Sequence, residues 1–344
     1  MRTAAGYSPV VAKKKQPRVV VITGAGAGIG RATARRFGAD GDKIALLARG
    51  EEELEGAARE IEAAGGTALI VPTDVSDPDA MEEAADEVER KLGPIDVWVS
   101  NAMTTVFSFF EDIEPDEFRR ATDVTYHGAV WSVRSALRRM VPRDRGTIVL
   151  VGSAMAYQGI PLQSPYCGAK HAIKGFFDSV RCELRNKGSK VHVTMVQLPG
   201  HNTPQFDHGR SKMPGHPQPV APVYQPEVAA RAIHFAAGSR RRQVYVGLPT
   251  YYTVLGSKFA PWLAELYLAK TAVSGQQADE PPDAENREGN LMEAPPGDPG
   301  AHGPFDEKAH DRSVAWFATR HRWALGGALA GVAAAAGLVA RGER

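Results

Sequence analysis

The sequence predicts an α/β fold: a doubly wound, parallel, seven-stranded sheet with helices on both faces. Three observations predict it. Apolar runs alternate with helix-like stretches from Arg18 to about Gly247, which implies crossover connections and parallel pairing. The runs are largely apolar along their length, as in strands covered on both faces. A glycine-rich turn follows the first run directly.

The expected strands are residues 19–23, 43–48, 68–72, 97–100, 147–151, 191–197 and 243–246. Helical patterns over residues 51–64 and 117–140 lie between them, and residues 255–269 read as one more helix beyond the last strand. The organisation expected is a basic arm over residues 1–17, a catalytic domain over 18–272, an acidic Pro/Gly-rich linker over 273–312 and a C-terminal helix over 313–344. The linker contains Glu280-Pro281-Pro282-Asp283 and Ala294-Pro295-Pro296-Gly297, a composition that reads as disordered. All named site residues precede it, so the chain before Ser274 is expected to fold by itself.

Composition excludes several classes. With 344 residues, 43% of them hydrophobic and 24% charged, the chain can bury one enzyme-sized core. A net charge of +1 gives no field for nucleic acid. Cys167 and Cys182, the only cysteines, fall in one helix-like stretch, which points to neither a disulfide framework nor a metal site. The basic arm carries Lys13, Lys14 and Lys15 without the apolar run of a signal peptide. A cytoplasmic catalytic domain is expected.

Thr23-Gly24-Ala25-Gly26-Ala27-Gly28-Ile29-Gly30 stands between the first strand and the first helix. There, glycines let the backbone approach a pyrophosphate whose charge sits at a helix N-terminus. The second strand ends Leu46-Leu47-Ala48-Arg49. Ala48 takes the place of an acid that would bond ribose hydroxyls, and the fork of Arg49 suits a 2′-phosphate, so NADP(H) is the expected cofactor. The other reading makes Arg49 a solvated cap residue, since Ala27 brings no second basic charge to the loop.

Tyr166 and Lys170, four apart, share one helix face, and Ser153 closes the fifth strand. A neighbouring ammonium lowers the pKa of a phenol, and a serine hydroxyl can hold a substrate oxygen as charge develops on it.

The glycine spacing together with Ser153, Tyr166 and Lys170 resembles the short-chain dehydrogenase/reductase family, in its compact single-domain branch, over Arg18 to about Gly247. The resemblance implies a Rossmann-like fold, a small-molecule carbonyl or alcohol substrate and a homo-oligomer. Tyr166 would pass the proton and also contact the cofactor, Lys170 would also hold the nicotinamide ribose, and Ser153 would position the substrate. Gly24, Gly26, Gly28, Ile29 and Gly30 would carry the dinucleotide, and Asp74 with Val75 would meet the adenine. Asn101, Ala102, Pro199, Gly200 and Thr203 complete the expected cofactor contacts. Two positions depart from the family pattern. Thr125 stands where an Asn usually holds a water on the proton path, and Thr203 follows Pro199 one residue early.

The segment from His201 to Tyr224 falls where the family has a lid. Phe206, Met213, Val220 and Val223 there either favour an apolar substrate or anchor the loop. His201, His208 and His216 are irregularly spaced and complete no ligand set. Residues 323–340, from Trp323 to Ala340, are uncharged and would span roughly 27 Å as a helix, marginal for a bilayer core. They read as a membrane anchor or as a packing helix. For the whole chain, an oxidoreductase competes with a fold-sharing epimerase or dehydratase and with a nucleotide-sensing scaffold. Loop spacing and the intact trio favour the first.

Overall fold

The computed structural model describes residues 16–278 and 287–321. The basic arm up to Lys15 and the apolar run from Trp323 to Ala340 lie outside the described residues.

Seven parallel strands form the central sheet: β1 (Val19–Thr23), β2 (Lys43–Ala48), β3 (Thr67–Pro72), β4 (Val97–Ser100), β5 (Thr147–Val151), β6 (His192–Gln197) and β7 (Gln243–Tyr245). Their spatial order is β7-β6-β5-β4-β1-β2-β3. Register is continuous across the middle, with Val21 opposite Ala45 on one side and Trp98 on the other. Alternate residues of β1 serve opposite faces. Val20 and Ile22 pack with Phe37, Ile61 and Ile233, whereas Val19 and Val21 pack with Met81, Trp98 and Phe177. Both faces are covered, which is why the strands carry no polar alternation.

The helices are α1 (Gly28–Gly38), α2 (Glu51–Ala63), α3 (Pro78–Leu92), α4 (Pro115–Thr122), α5 (Gly128–Met140), α6 (Ser164–Asn186), α7 (Gln205–His208), α8 (Pro226–Ala237), α9 (Gly247–Phe259), α10 (Pro261–Gly275) and α11 (Val314–Arg320). The helix expected over residues 117–140 is divided by a π-turn, Asp123–His127, that joins α4 to α5. The helix expected over 255–269 is likewise divided, because Pro261 has no amide hydrogen to continue α9.

The acidic stretch expected as an unpacked linker lies against the domain over residues 287–312. Leu291, Ala301 and Phe305 are buried there, Ala309–His310 pairs in parallel with Val223–Tyr224, and Trp316 of α11 joins the core edge-on to Phe235. A composition poor in apolar residues hides these few anchors, each of which meets a pocket made by distant parts of the chain.

The sheet order reverses direction between β1 and β4, the crevice where open α/β sheets bind ligands. The described residues place the glycine loop at that point.

Candidate active site

At the end of β1 the chain turns through Gly24 and enters α1 at Gly28, with φ of 63° and 54°, a region that favours glycine. A Cβ on Gly30 would overlap the Gly24 carbonyl oxygen. Asn101 and Ala102, just after β4, fasten this turn. Both of their amides donate to Thr23 Oγ1, at 3.0 and 3.1 Å, and Asn101 Nδ2 donates to the carbonyls of Thr23 and Gly24. A cavity of about 190 Å³ opens above the loop. Of the residues expected to hold a cofactor, Gly24, Gly26, Gly28, Ile29, Arg49, Asp74, Val75, Asn101, Ala102 and Thr203 line it.

Gly30, Tyr166, Lys170, Pro199 and Gly200 are not on its wall, and neither is Ser153. The Gly200 carbonyl instead accepts the Tyr224 amide at 3.0 Å, and the Pro199 carbonyl accepts from His201 Nδ1 at 2.9 Å. Thr203, despite its early position, stands within 3.2 Å of where a Cβ on Gly28 would be.

Asp74 bonds Ser76 and, at 2.6 Å, the Arg120 guanidinium. Burial alone would raise its pKa, but Arg120 and Ser76 outweigh burial and hold the carboxyl below its usual range. Arg49 donates to three carbonyls of the C-terminal stretch: Asn290 at 2.6 Å, Met292 at 2.7 Å and Glu293 at 3.1 Å. Burial, and then the like charge of Arg120, lower its pKa. Neither Arg120 nor the C-terminal contacts are legible in the sequence, because Asp74 and Arg120 are 46 positions apart and Arg49 and Asn290 are 241 apart.

Ser153 follows β5 and its hydroxyl accepts the Met155 amide at 3.1 Å. Tyr166 lies in the first turn of α6 and shares a hydrogen bond with Ser153. One turn further on, Lys170 is buried, with Nζ donating to the Val151 carbonyl at 2.8 Å and lying 5.4 Å from the centre of the Tyr166 ring. The structure therefore brings the expected trio together.

Their ionisation differs from the expectation that Lys170 draws the phenol down. Burial pushes Tyr166 up to about 12, with the Ser153 hydrogen bond working against it. Burial lowers Lys170 to about 8. Tyr166 thus stands protonated at neutral pH, ready to donate.

Burial of Lys170 has a measurable sign. Below pH 8 the folded state bears the cost of a buried cation. From pH 8 to 10.5 the unfolded chain holds a proton that the folded chain has released, so stability rises with pH. Relative to a Lys170→Met variant, the parent should gain up to about 3 kcal/mol in urea unfolding as pH is raised through that window. A constant difference between the two proteins would overturn this account of Lys170.

Thr125 sits in the π-turn and is buried. Its hydroxyl donates to the Thr104 carbonyl at 2.9 Å and accepts the Thr104 amide at 3.0 Å. With its single proton committed, it has only an acceptor lone pair left for a water. The lid residues Phe206 and Met213 are buried with Phe107, Leu162 and Phe305, so both anchor the loop, whereas Val220 is exposed. Among the described residues, no group of three or more His, Cys, Asp or Glu could hold a metal.

A glycine-cradled cavity at the switch point of a parallel sheet, together with a Ser-Tyr-Lys trio where β5 of that sheet ends, defines a dinucleotide-dependent class of oxidoreductase. Residues 18–213 match the family model described as short chain dehydrogenase, and the chain belongs to that family. It is 32% identical to an uncharacterized oxidoreductase, YxnA, of Bacillus subtilis (strain 168), over 78% of this chain and 76% of that protein. It is 30% identical to 11-beta-hydroxysteroid dehydrogenase 1A of Arabidopsis thaliana, over 79% and 82%. A metagenomic short-chain oxidoreductase solved in complex with NADP superposes with a TM-score of 0.58 at 28% identity, over 68% of this chain and 98% of that one.

Proposed function

We propose that the protein is an NADP(H)-dependent oxidoreductase that interconverts a carbonyl and a secondary alcohol on an apolar small molecule. The observation that carries this reading is the trio Ser153, Tyr166 and Lys170, gathered where β5 ends, in the same parallel sheet whose β1 ends in the glycine-lined cavity. The close approach of Gly30 to Gly24 and the left-handed Gly24 and Gly28 form a cradle that suits a nicotinamide dinucleotide. Gly24, Gly26, Gly28, Ile29, Asn101, Ala102 and Thr203 would hold it, with Asp74 and Val75 on the adenine side. Pro199 and Gly200 act one step back, by shaping the chain that presents Thr203.

When bound, the reduced nicotinamide supplies a hydride to the carbonyl carbon. Ser153 donates a hydrogen bond to the substrate oxygen. Tyr166 breaks its O–H bond and gives that proton to the same oxygen, which becomes the alcohol hydroxyl. The ammonium of Lys170 stabilises the phenolate left behind. Thr125 serves as a positioning residue that holds the loop after β4, in keeping with its two bonds to Thr104.

Selection of the phosphorylated cofactor rests on Arg49 at the end of β2 with Arg120, which pairs with Asp74, close enough for its like charge to act on Arg49. Arg49→Asp is expected to shift the NADPH-over-NADH preference in affinity by roughly 10- to 100-fold, the worth of one or two charge-assisted hydrogen bonds. An unchanged ratio of dissociation constants would refute the role of Arg49. NADPH consumption over a panel of ketones and aldehydes tests the reaction itself.

An apolar substrate is supported by the hydroxysteroid named for the Arabidopsis relative. Second copies of the chain would meet at the groove between α5 and α6, where Val130, Leu137, Val141 and Phe176 are partly exposed, and sedimentation equilibrium tests that assembly. A bilayer tether through residues 323–340 is supported by their apolar composition and by Leu255, Phe259, Trp262, Leu266 and Tyr267, exposed on α9 and α10. Among the described residues no helix is long and apolar enough to cross a membrane. If the tether reading is right, the full chain should sediment with liposomes and a chain ending at His321 should do so less.

A further inference from the structure

The cofactor cavity is not walled by the catalytic domain alone. Asn290, Ala294, Pro295 and Pro299 also line it, and the stretch that carries them crosses the cavity between two firm attachments. At its near end Arg287 pairs with Ser211 as an isolated bridge, and its guanidinium donates to the carbonyls of Phe206 at 2.7 Å and Gly209 at 3.0 Å. Gly289, at φ 62°, passes so close to His208 that a Cβ would overlap its carbonyl oxygen, and the Asn290 amide donates to that carbonyl at 2.7 Å. At the far end the Asp298 carboxylate pairs with the buried guanidinium of Arg31 on α1, and the Gly28 amide donates to the Gly300 carbonyl at 3.1 Å. Beyond that, the Phe305 amide donates to Asn202 Oδ1 at 3.0 Å.

Between these attachments the stretch organises two cations. Arg49 gives three of its five N–H donors to the carbonyls of Asn290, Met292 and Glu293. Arg120 gives Nε to the Leu291 carbonyl at 3.1 Å and its other nitrogens to Ser76 and Asp74. Leu291 itself is buried against Val106 and Ala121, which seats the strap. Carbonyl dipoles orient a guanidinium without cancelling its charge. Arg49 and Arg120 therefore stand close together beside the cavity, Arg120 paired with Asp74 and Arg49 held by backbone carbonyls. Two guanidiniums held side by side, with Arg49 meeting only neutral carbonyls in its hydrogen bonds, suit a phosphate.

We infer that residues 287–303 are a strap that completes the dinucleotide site, fixing Arg49 and Arg120 for the phosphate-bearing adenosine end of the cofactor and slowing its escape. This rests on the NADP(H) reading for the identity of the phosphate, but the closing of the site concerns any dinucleotide bound there. A strap that instead competed with the cofactor would have the opposite effect on affinity.

Two variants of the whole chain separate these cases, Asp298→Ala at the far attachment and Leu291→Ala at the seat, neither of which alters Arg49 or Arg120. Dissociation constants for NADPH and NADH are measured by fluorescence titration, and release rates by stopped flow, on protein whose thermal unfolding shows it to be folded. The expected result is that both variants bind NADPH about tenfold more weakly and release it faster, with a smaller loss for NADH. Amides of residues 289–300 should also exchange hydrogen more slowly when NADP is added to the parent. Unchanged or tighter binding in both variants, or exchange in the strap indifferent to NADP, would overturn the inference. Should one variant fail to fold, the other and the exchange experiment on the parent still decide. If the parent prefers NADH, the NADP(H) reading fails, whereas the strap stands or falls on whether the variants weaken NADH.

Discussion

Tyr166→Phe should reduce carbonyl turnover by about a thousandfold, within the range that a positioned acid contributes, while the dissociation constant for NADPH stays within threefold. The substitution removes one hydroxyl and retains the ring that stands beside Lys170. What is lost is the proton donated to the substrate oxygen and the hydrogen bond shared with Ser153. Burial holds the phenol at about 12 and so keeps that proton in place at neutral pH. Steady-state rates with NADPH and a reactive ketone, set beside a binding titration, measure both quantities. Turnover within tenfold of the parent would remove Tyr166 from the chemistry. Equal losses in turnover and in cofactor affinity would make it a binding residue instead.

The second large effect concerns the C-terminal stretch. A chain ending at Val273 should lose most of its stability, whereas a chain ending at His321 should unfold as the full chain does. The shorter truncation removes Trp316, whose side chain packs in the core against Phe235 at 5.2 Å between ring centres. Removing such a side chain costs about 3–5 kcal/mol. It also removes Leu291 and Phe305, exposes the pockets they fill, and takes from the buried Arg31 one of its two carboxylate partners, leaving Glu60. Against a total native stability of roughly 5–15 kcal/mol, these losses leave little margin. Urea unfolding of the three chains decides the matter, and equal midpoints for the chains ending at Val273 and His321 would sink it. This expectation reverses the one drawn from composition, by which everything after Ser274 is dispensable for folding.

The difference between the two expectations has a local cause. A stretch with two Pro-Pro pairs and many acids cannot build a core of its own, and composition reports that correctly. It does not report that single residues such as Leu291, Asp298, Phe305 and Trp316 each find a partner already built by the preceding domain. The same holds for Arg49. Its place at the end of β2 is readable, but its hold on Asn290, Met292 and Glu293 depends on a chain reversal of more than two hundred residues.

By itself, the sequence determined the parallel seven-stranded sheet, the glycine turn at its switch point and the membership of Ser153, Tyr166 and Lys170 in one site. Each of these is written in local patterns: continuous apolar runs, glycines where the backbone turns left-handed, and two residues one helical turn apart. Tertiary structure alone decided the rest. It placed a π-turn inside an expected helix and directed Thr125 to the Thr104 backbone. It raised Tyr166 and lowered Lys170 by burial, which no spacing encodes. It also laid residues 287–303 across the cofactor cavity, because the free energy of that contact lies in surfaces that exist only once β1, β2, α1 and α4 have packed.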